Sequence, residues 1–193
     1  MLEKLRKYNE ILFRPVVKLL CILKITPDFL TFSSLAGMGI SGYFIIKGKL
    51  LIGGIVFLAF SGLDFLDGMV ARTIEKKSKF GAFLDSTIDR YSEAIIYLSI
   101  IVYALQFRED YKAIIILSFV SFVGSVLTSY TKARGENFIK SVKIGFFQRP
   151  ERVVILGLGL IFNQLYIFLI ILSVFTNITA IQRMVYVCKK LKQ

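Results

Sequence analysis

Residues 153–182 form a run of thirty positions without a single charged side chain. A membrane-crossing helix needs about 20 mostly apolar residues, so this run is too long for one span and short for two. Shorter uncharged runs lie at 29–46, 50–63, 94–107 and 113–131. The runs at 29–46 and 113–131 nearly reach span length unaided. Those at 50–63 and 94–107 reach it only by extending into the polar segment between them, which predicts helices over 50–73 and 81–107. Asn163-Gln164 offers a break in the longest run and predicts helices over 150–163 and 165–190. The expectation is an all-α integral membrane protein of six transmembrane helices, a single domain over 1–193 with its bundle over 26–193.

Composition narrows the class further. Of the 193 residues 55% are hydrophobic, yet the formal net charge is +12. Oily and basic together exclude a soluble nucleic-acid binder, so no nucleic-acid partner is expected. With 18 Phe and 9 Tyr to bury, the chain is not disordered either. There is no histidine, which excludes His-type zinc sites and Ser-His or Cys-His nucleophile pairs. Cys21 and Cys188 stand far apart in sequence and read as free thiols.

The basic residues orient the predicted bundle. Lys4, Arg6, Lys7, Arg14, Lys18, Lys24, Arg72, Lys76, Lys77, Lys79, Lys132, Arg134, Lys140, Lys143, Arg149, Arg152, Arg183, Lys189, Lys190 and Lys192 fall on one side. The opposite turns hold only Lys47, Lys49, Arg108 and Lys112. By the positive-inside bias, both termini face the cytoplasm and the protein sits as a multi-pass protein in the plasma membrane. The charged opening, MLEKLRKYNEILFRP, lacks the apolar core and small-residue cleavage site of a signal peptide. Within 1–25, Leu5, Ile11, Leu12, Val16, Leu19, Leu20 and Leu23 recur at helical spacing among charges. That pattern predicts an amphipathic helix lying on the inner membrane face.

The segment SGLDFLDGMVARTIEKKSKFGAFLDSTIDR, residues 61–90, carries the chemistry. Asp64 and Asp67 (i, i+3) share one helix face, and Asp85 and Asp89 (i, i+4) share another. A short basic loop joins the two helices, so they run antiparallel and bring four carboxylates together near the cytoplasmic end. A carboxylate at the centre of a membrane helix costs roughly 2.5–3.5 kcal/mol on insertion scales, less near the interface, and such residues mark function. Like charges held together repel unless protonated or bound to cations. Oxygen ligands without His or Cys favour Mg²⁺, Mn²⁺ or Ca²⁺, and four carboxylates suit two ions better than one. Two metals clamp the attacking and leaving oxygens of a phosphoryl displacement. A cation-coupled transporter could use the same aspartates, although the short outer turns favour an enzyme. Gly68, Ala71 and Gly81 leave room for a diphosphate to approach, and Arg72 can grip phosphate.

This segment resembles the signature of the CDP-alcohol phosphotransferase family, D-x-x-D-G-x-x-A-R-x8-G-x3-D-x3-D. Asp64, Asp67, Gly68, Ala71, Arg72, Gly81, Asp85 and Asp89 fill every fixed position. The resemblance implies that Asp64, Asp67, Asp85 and Asp89 ligate two divalent cations, Mg²⁺ or Mn²⁺, with Asp89 also the general base on the acceptor hydroxyl. It places Asp64, Gly68, Ala71, Arg72, Ser78 and Gly81 around the CDP moiety of a CDP-linked lipid donor. Pro27, Asp28 and Thr31 fall in a T-P-D-x-x-T stretch resembling the family's T-P-N-x-x-T, with Asp28 where Asn is usual. The reaction implied is attack of the acceptor hydroxyl on the β-phosphorus, with CMP leaving. A homodimer in the bilayer is a further implication.

A second polar run, Ser129 to Val154, carries Lys132, Arg134, Arg149 and Arg152. Positive-inside bias and attraction to anionic headgroups account for such a run, and so does a pocket for a phosphorylated acceptor. The run resembles the SYxKARAE…RPER pattern of the phosphatidylinositol-phosphate and archaetidylinositol-phosphate synthase branch, with Gly135 where Ala is usual. By that resemblance Lys132, Arg134, Pro150, Arg152 and Arg183 hold the phosphate of a phosphorylated polyol, inositol phosphate. Glycerol 3-phosphate, serine and a CDP-inositol donor stay open as alternatives.

Overall fold

Thr26 opens the first helix as an N-cap, its Oγ1 accepting from the Phe29 amide at 3.3 Å, and Pro27 fills the first turn where no amide partner is needed. In this computed structural model the described residues are Val17, Lys18, Ile22, 26–73 and 78–192; side chains at 64, 65, 67, 68 and 71–73 lie outside the description. Among them are six helices: α1 Pro27–Ile46, α2 Leu50–Thr73, α3 Lys79–Phe107, α4 Tyr111–Gly135, α5 Arg149–Ile161 and α6 Leu165–Leu191. The predicted leader helix within 1–25 falls outside the described residues, apart from Val17, Lys18 and Ile22. Val17 is buried in a cluster with Leu30, Leu66, Met69 and Val70.

Local chemistry sets the helix ends. Ser78 caps α3, its Oγ accepting from the Gly81 amide at 2.8 Å. Gly48, at φ 73°, closes the turn between α1 and α2. Asn163, at φ 53°, takes the left-handed conformation that ends α5, and the Gln164 amide donates back to the Gly159 carbonyl at 3.0 Å. The predicted break at Asn163-Gln164 is therefore where the chain turns.

Three helices, α1, α4 and α6, are long and apolar enough to cross a membrane, and Leu50–Leu63 of α2 adds a shorter apolar stretch. α3, at 29 residues, extends about 43 Å, whereas α5, at 13 residues, extends only about 20 Å.

α1 packs on α2 and α3, α2 on α5, α3 on α4, α4 on α6 and α5 on α6. Small and hydroxyl side chains line these contacts. A Cβ at Gly54 would meet Leu160 Cβ at 2.9 Å, so only glycine lets α2 lie this close to α5. Ser41 Oγ donates to the Gly53 carbonyl at 2.8 Å, and Thr128 Oγ1 to the Thr176 carbonyl at 2.9 Å. The buried set contains Ser118, Ser121, Ser125, Thr128 and Thr176, while Phe32, Ile55, Leu98, Phe119 and Ile167 face outward. Polar inside and apolar outside is the arrangement of helices associating within lipid.

Candidate active site

The site grows from the polar ends of α2, α3 and α5. Asp64, Asp67, Gly68, Ala71 and Arg72 lie on the helical backbone of α2, with side chains outside the described residues. Asp85 is half-buried and Asp89 buried on α3, one turn apart. Ser61 of α2 and Ser92 and Glu93 of α3 line one small cavity together with Ser125, Arg149 and Arg152. Ser61 stands one turn before Asp64, and Ser92 one turn after Asp89. Among the described residues α2 and α3 face each other across this cavity rather than packing directly, and α1 packs against both.

Asp89 meets two arginines. Arg149 Nη2, from the first turn of α5, contacts Asp89 Oδ1, and Arg90 Nη2 lies 3.2 Å from Oδ2. Below them Glu93 forms a second junction. Its Oε1 accepts from Arg152 Nη2 at 3.1 Å, and its Oε2 from Ser125 Oγ at 2.9 Å and Arg90 Nη1 at 3.3 Å. Arg90 Nη1 also donates to Ser129 Oγ at 2.6 Å, tying α3 to α4. Glu93 was not among the residues singled out from sequence. It continues the Asp85, Asp89 series at i+4, and that period was the signal available.

Arg152 and Arg183 are both almost fully buried, 4% and 5% exposed, which makes them unusual for arginines. Arg183 donates from Nη1 to the Thr128 carbonyl at 2.6 Å and from Nε to the Ile144 carbonyl at 2.9 Å. It thereby fastens α6 to α4 and to the segment before α5. Gly145, at φ 130°, passes directly over it; a Cβ there would meet Thr179 Cγ2 at 2.7 Å and Arg183 Nε at 3.2 Å. The Arg152 Nε is buried without a hydrogen-bond partner among the described residues.

The other predicted residues distribute around this centre. Thr31 is buried, its Oγ1 donating to the Pro27 carbonyl at 3.1 Å. Asp28 is exposed, and a Cβ on Gly81 would lie 3.1 Å from Ser78 Oγ and 3.6 Å from Asp28 Oδ1. The starts of α1 and α3 are thus neighbours, with glycine between an acid and a hydroxyl. Lys132 and Arg134 are exposed on the last turn of α4, one turn beyond Thr128, and the Arg134 guanidinium lies over the Phe138 ring at 4.9 Å. Pro150 occupies the first turn of α5 and is exposed. Cys188 is a free, exposed thiol.

The donor chemistry suits hard divalent cations. The acidic positions of α2 and α3 offer only carboxylate oxygens, and Asp85 and Asp89 stand one turn apart on one face of α3.

A family model described as CDP-alcohol phosphatidyltransferase matches residues 24–186. An archaetidylinositol phosphate synthase of Pyrococcus horikoshii is 35% identical over 191 residues, covering 98% of this chain and 97% of that protein. A phosphatidylinositol phosphate synthase of Corynebacterium glutamicum is 36% identical over 159 residues, covering 80% of this chain and 72% of that protein. Among solved structures, the phosphatidylinositol phosphate synthase of Mycobacterium tuberculosis in complex with manganese and citrate superposes with a TM-score of 0.81 at 30% identity, covering 90% of this chain and 87% of that one. The same enzyme with CDP-DAG bound gives 0.80 at 29% identity, covering 90% and 92%.

Proposed function

Because the chain belongs to the CDP-alcohol phosphatidyltransferase family, we propose that it transfers a phosphatidyl-type group from a CDP-linked lipid to the hydroxyl of inositol phosphate and releases CMP. The observation that carries the choice of acceptor is the buried Arg152, held by Glu93 with its Nε unused, together with a second, equally buried arginine, Arg183. Glu93 and the Thr128 and Ile144 carbonyls occupy only some of the five N–H donors on each of these arginines, and a phosphorylated alcohol brings anionic oxygens for the rest. The relatives named for inositol-phosphate headgroups support the same reading.

In this reading Asp64, Asp67, Asp85 and Asp89 hold two divalent cations, Mg²⁺ or Mn²⁺; the Mycobacterium tuberculosis structure with manganese supports the assignment. Bound there, they offset the charge of the donor diphosphate and make CMP a tolerable leaving group. The chain's own residues do the rest. Asp89 takes the proton of the acceptor hydroxyl as that oxygen attacks the β-phosphorus, and Arg149 and Arg90 hold its carboxylate in place. Pro27, Asp28, Thr31, Ser78 and Gly81, with Gly68, Ala71 and Arg72 of α2, receive the CDP moiety; Gly81 leaves the space between Asp28 and Ser78 open. Lys132, Arg134, Pro150, Arg152 and Arg183 receive the acceptor phosphate.

The setting completes the reading. The six helices build one domain in the plasma membrane, α5 crossing only part of the hydrocarbon layer, with the leader on its inner face; both termini and the site face the cytoplasm, and two copies form a homodimer. A parallel assay with CDP-diacylglycerol, Mg²⁺ or Mn²⁺, and inositol 1-phosphate, free inositol, glycerol 3-phosphate or serine tests it. CMP release with inositol 1-phosphate alone is the expected result; preference for any other acceptor overturns the acceptor assignment.

A further inference from the structure

We infer that Glu93 is a positioning residue for the acceptor: it fixes the direction of the Arg152 guanidinium before the phosphate arrives. The inference rests on reading Arg152 as a ligand of that phosphate. Glu93 lies one helical turn deeper than Asp89, and its side chain is only 14% exposed. Its two oxygens accept three hydrogen bonds, from Arg152, Ser125 and Arg90. A carboxylate has about four lone-pair sites, and protein donors use three of those on Glu93.

What the arrangement does is orient. An arginine side chain has about 2 kcal/mol of rotamer entropy to lose, and losing it before binding leaves less to lose on binding. Glu93 engages Nη2 alone, so the buried Nε stays available for a phosphate oxygen. Ser125 and Arg90 anchor the far oxygen of the same carboxylate to α4 and α3. The rotamer of Glu93 is thereby set from α4 as well as from its own helix. A buried Arg–Glu–Arg array is a weak device for stability, because desolvation offsets much of the Coulomb attraction. It is a strong device for holding one guanidinium in one pose.

The test is steady-state kinetics of the full-length protein with CDP-diacylglycerol, Mn²⁺ and inositol 1-phosphate, comparing Glu93→Gln, Arg152→Ala and the double variant. Loss of one charge-assisted hydrogen bond predicts an acceptor KM raised about tenfold in Glu93→Gln, with donor KM and kcat changed less than about threefold. In the Arg152→Ala background, adding Glu93→Gln is expected to change the acceptor KM less than about twofold, because the coupling partner is gone. Equal losses in kcat and both KM values, or full additivity with Arg152→Ala, overturn the inference. If Arg152→Ala leaves the acceptor KM at the wild-type value, the phosphate reading of Arg152 fails and the inference falls with it. If Arg152→Ala raises it and Glu93→Gln does not, only the inference fails. Should Glu93→Gln not fold, Ser125→Ala is read instead, since it removes one anchor of the same carboxylate and keeps the charge. A raised acceptor KM then supports the inference and an unchanged one overturns it.

Discussion

Arg149, in the first turn of α5, reaches across to Asp89 in the middle of α3 and contacts its Oδ1, while Arg90 takes Oδ2. The acid read as the general base is thus held by a helix that begins sixty residues later in the sequence. Its geometry depends on where α5 starts.

Asp89→Asn is expected to lower turnover by roughly 10²–10⁴-fold, the usual contribution of a positioned base. CDP-lipid binding should largely survive, because the amide fills the same space and its oxygen still accepts from one of the two arginines. Turnover assays paired with donor binding and thermal unfolding check this; a variant within a few-fold of wild-type rate would falsify the role.

Chelation of divalent ions with EDTA should abolish CMP release, and Mg²⁺ or Mn²⁺ should restore it. Asp85→Asn is expected to raise the metal concentration needed for half-maximal rate, since one anionic oxygen donor is lost from the set. An unchanged metal requirement in that variant contradicts Asp85 as a ligand.

Gly54→Ala tests whether helix packing sets the site. Its new Cβ would lie 2.9 Å from Leu160 Cβ and 3.1 Å from the Ile161 amide, so α5 must move away from α2. Overpacking of this kind costs about 1–3 kcal/mol. Because Arg149 and Arg152 ride on α5, activity should fall along with the unfolding temperature.

Arg183→Lys is expected to raise the acceptor KM more than the donor KM. Lysine cannot reproduce the fork that grips the Thr128 and Ile144 carbonyls, so the segment carrying Gly145 loses its anchor. Parallel titrations of the two substrates measure the split, and equal rises would point to a general loss of structure.

Between α3 and α4, Arg108 donates from Nε and Nη2 to both oxygens of Asp110, at 2.8 and 2.9 Å. This hydrogen-bonded pair, foremost, holds the Asp110 carboxyl below its ordinary value. A depressed folded-state value means stability that is present above the normal carboxylate range and lost as pH falls through the lowered one. Both groups are over one-third exposed, so the effect is worth at most about 0.2–1 kcal/mol. Asp110→Asn should flatten the acid limb of a melting-temperature profile without touching catalysis.

Much of this architecture was legible in the chain itself because it is enforced locally. Thr26-Pro27, Ser78 and Asn163 mark helix ends through capping and left-handed backbone, effects that act within a few residues. The spacing of Asp85 and Asp89 reports helix geometry directly. Glu93 was harder to see because its partners are Ser125 and Arg152, 32 and 59 residues away, brought close only by tertiary packing. The shortness of α5, by contrast, was legible: the predicted 150–163 and the observed Arg149–Ile161 nearly coincide.

That shortness has a consequence for traffic. Some 20 Å of helix cannot reach both faces of a hydrocarbon layer about 30 Å thick. If the far end of α5 stands at the outer boundary, its arginine-bearing end forms the floor of a well sunk below the inner one. On the proposed function, a water-loving acceptor would have to descend into that well to meet the lipid donor.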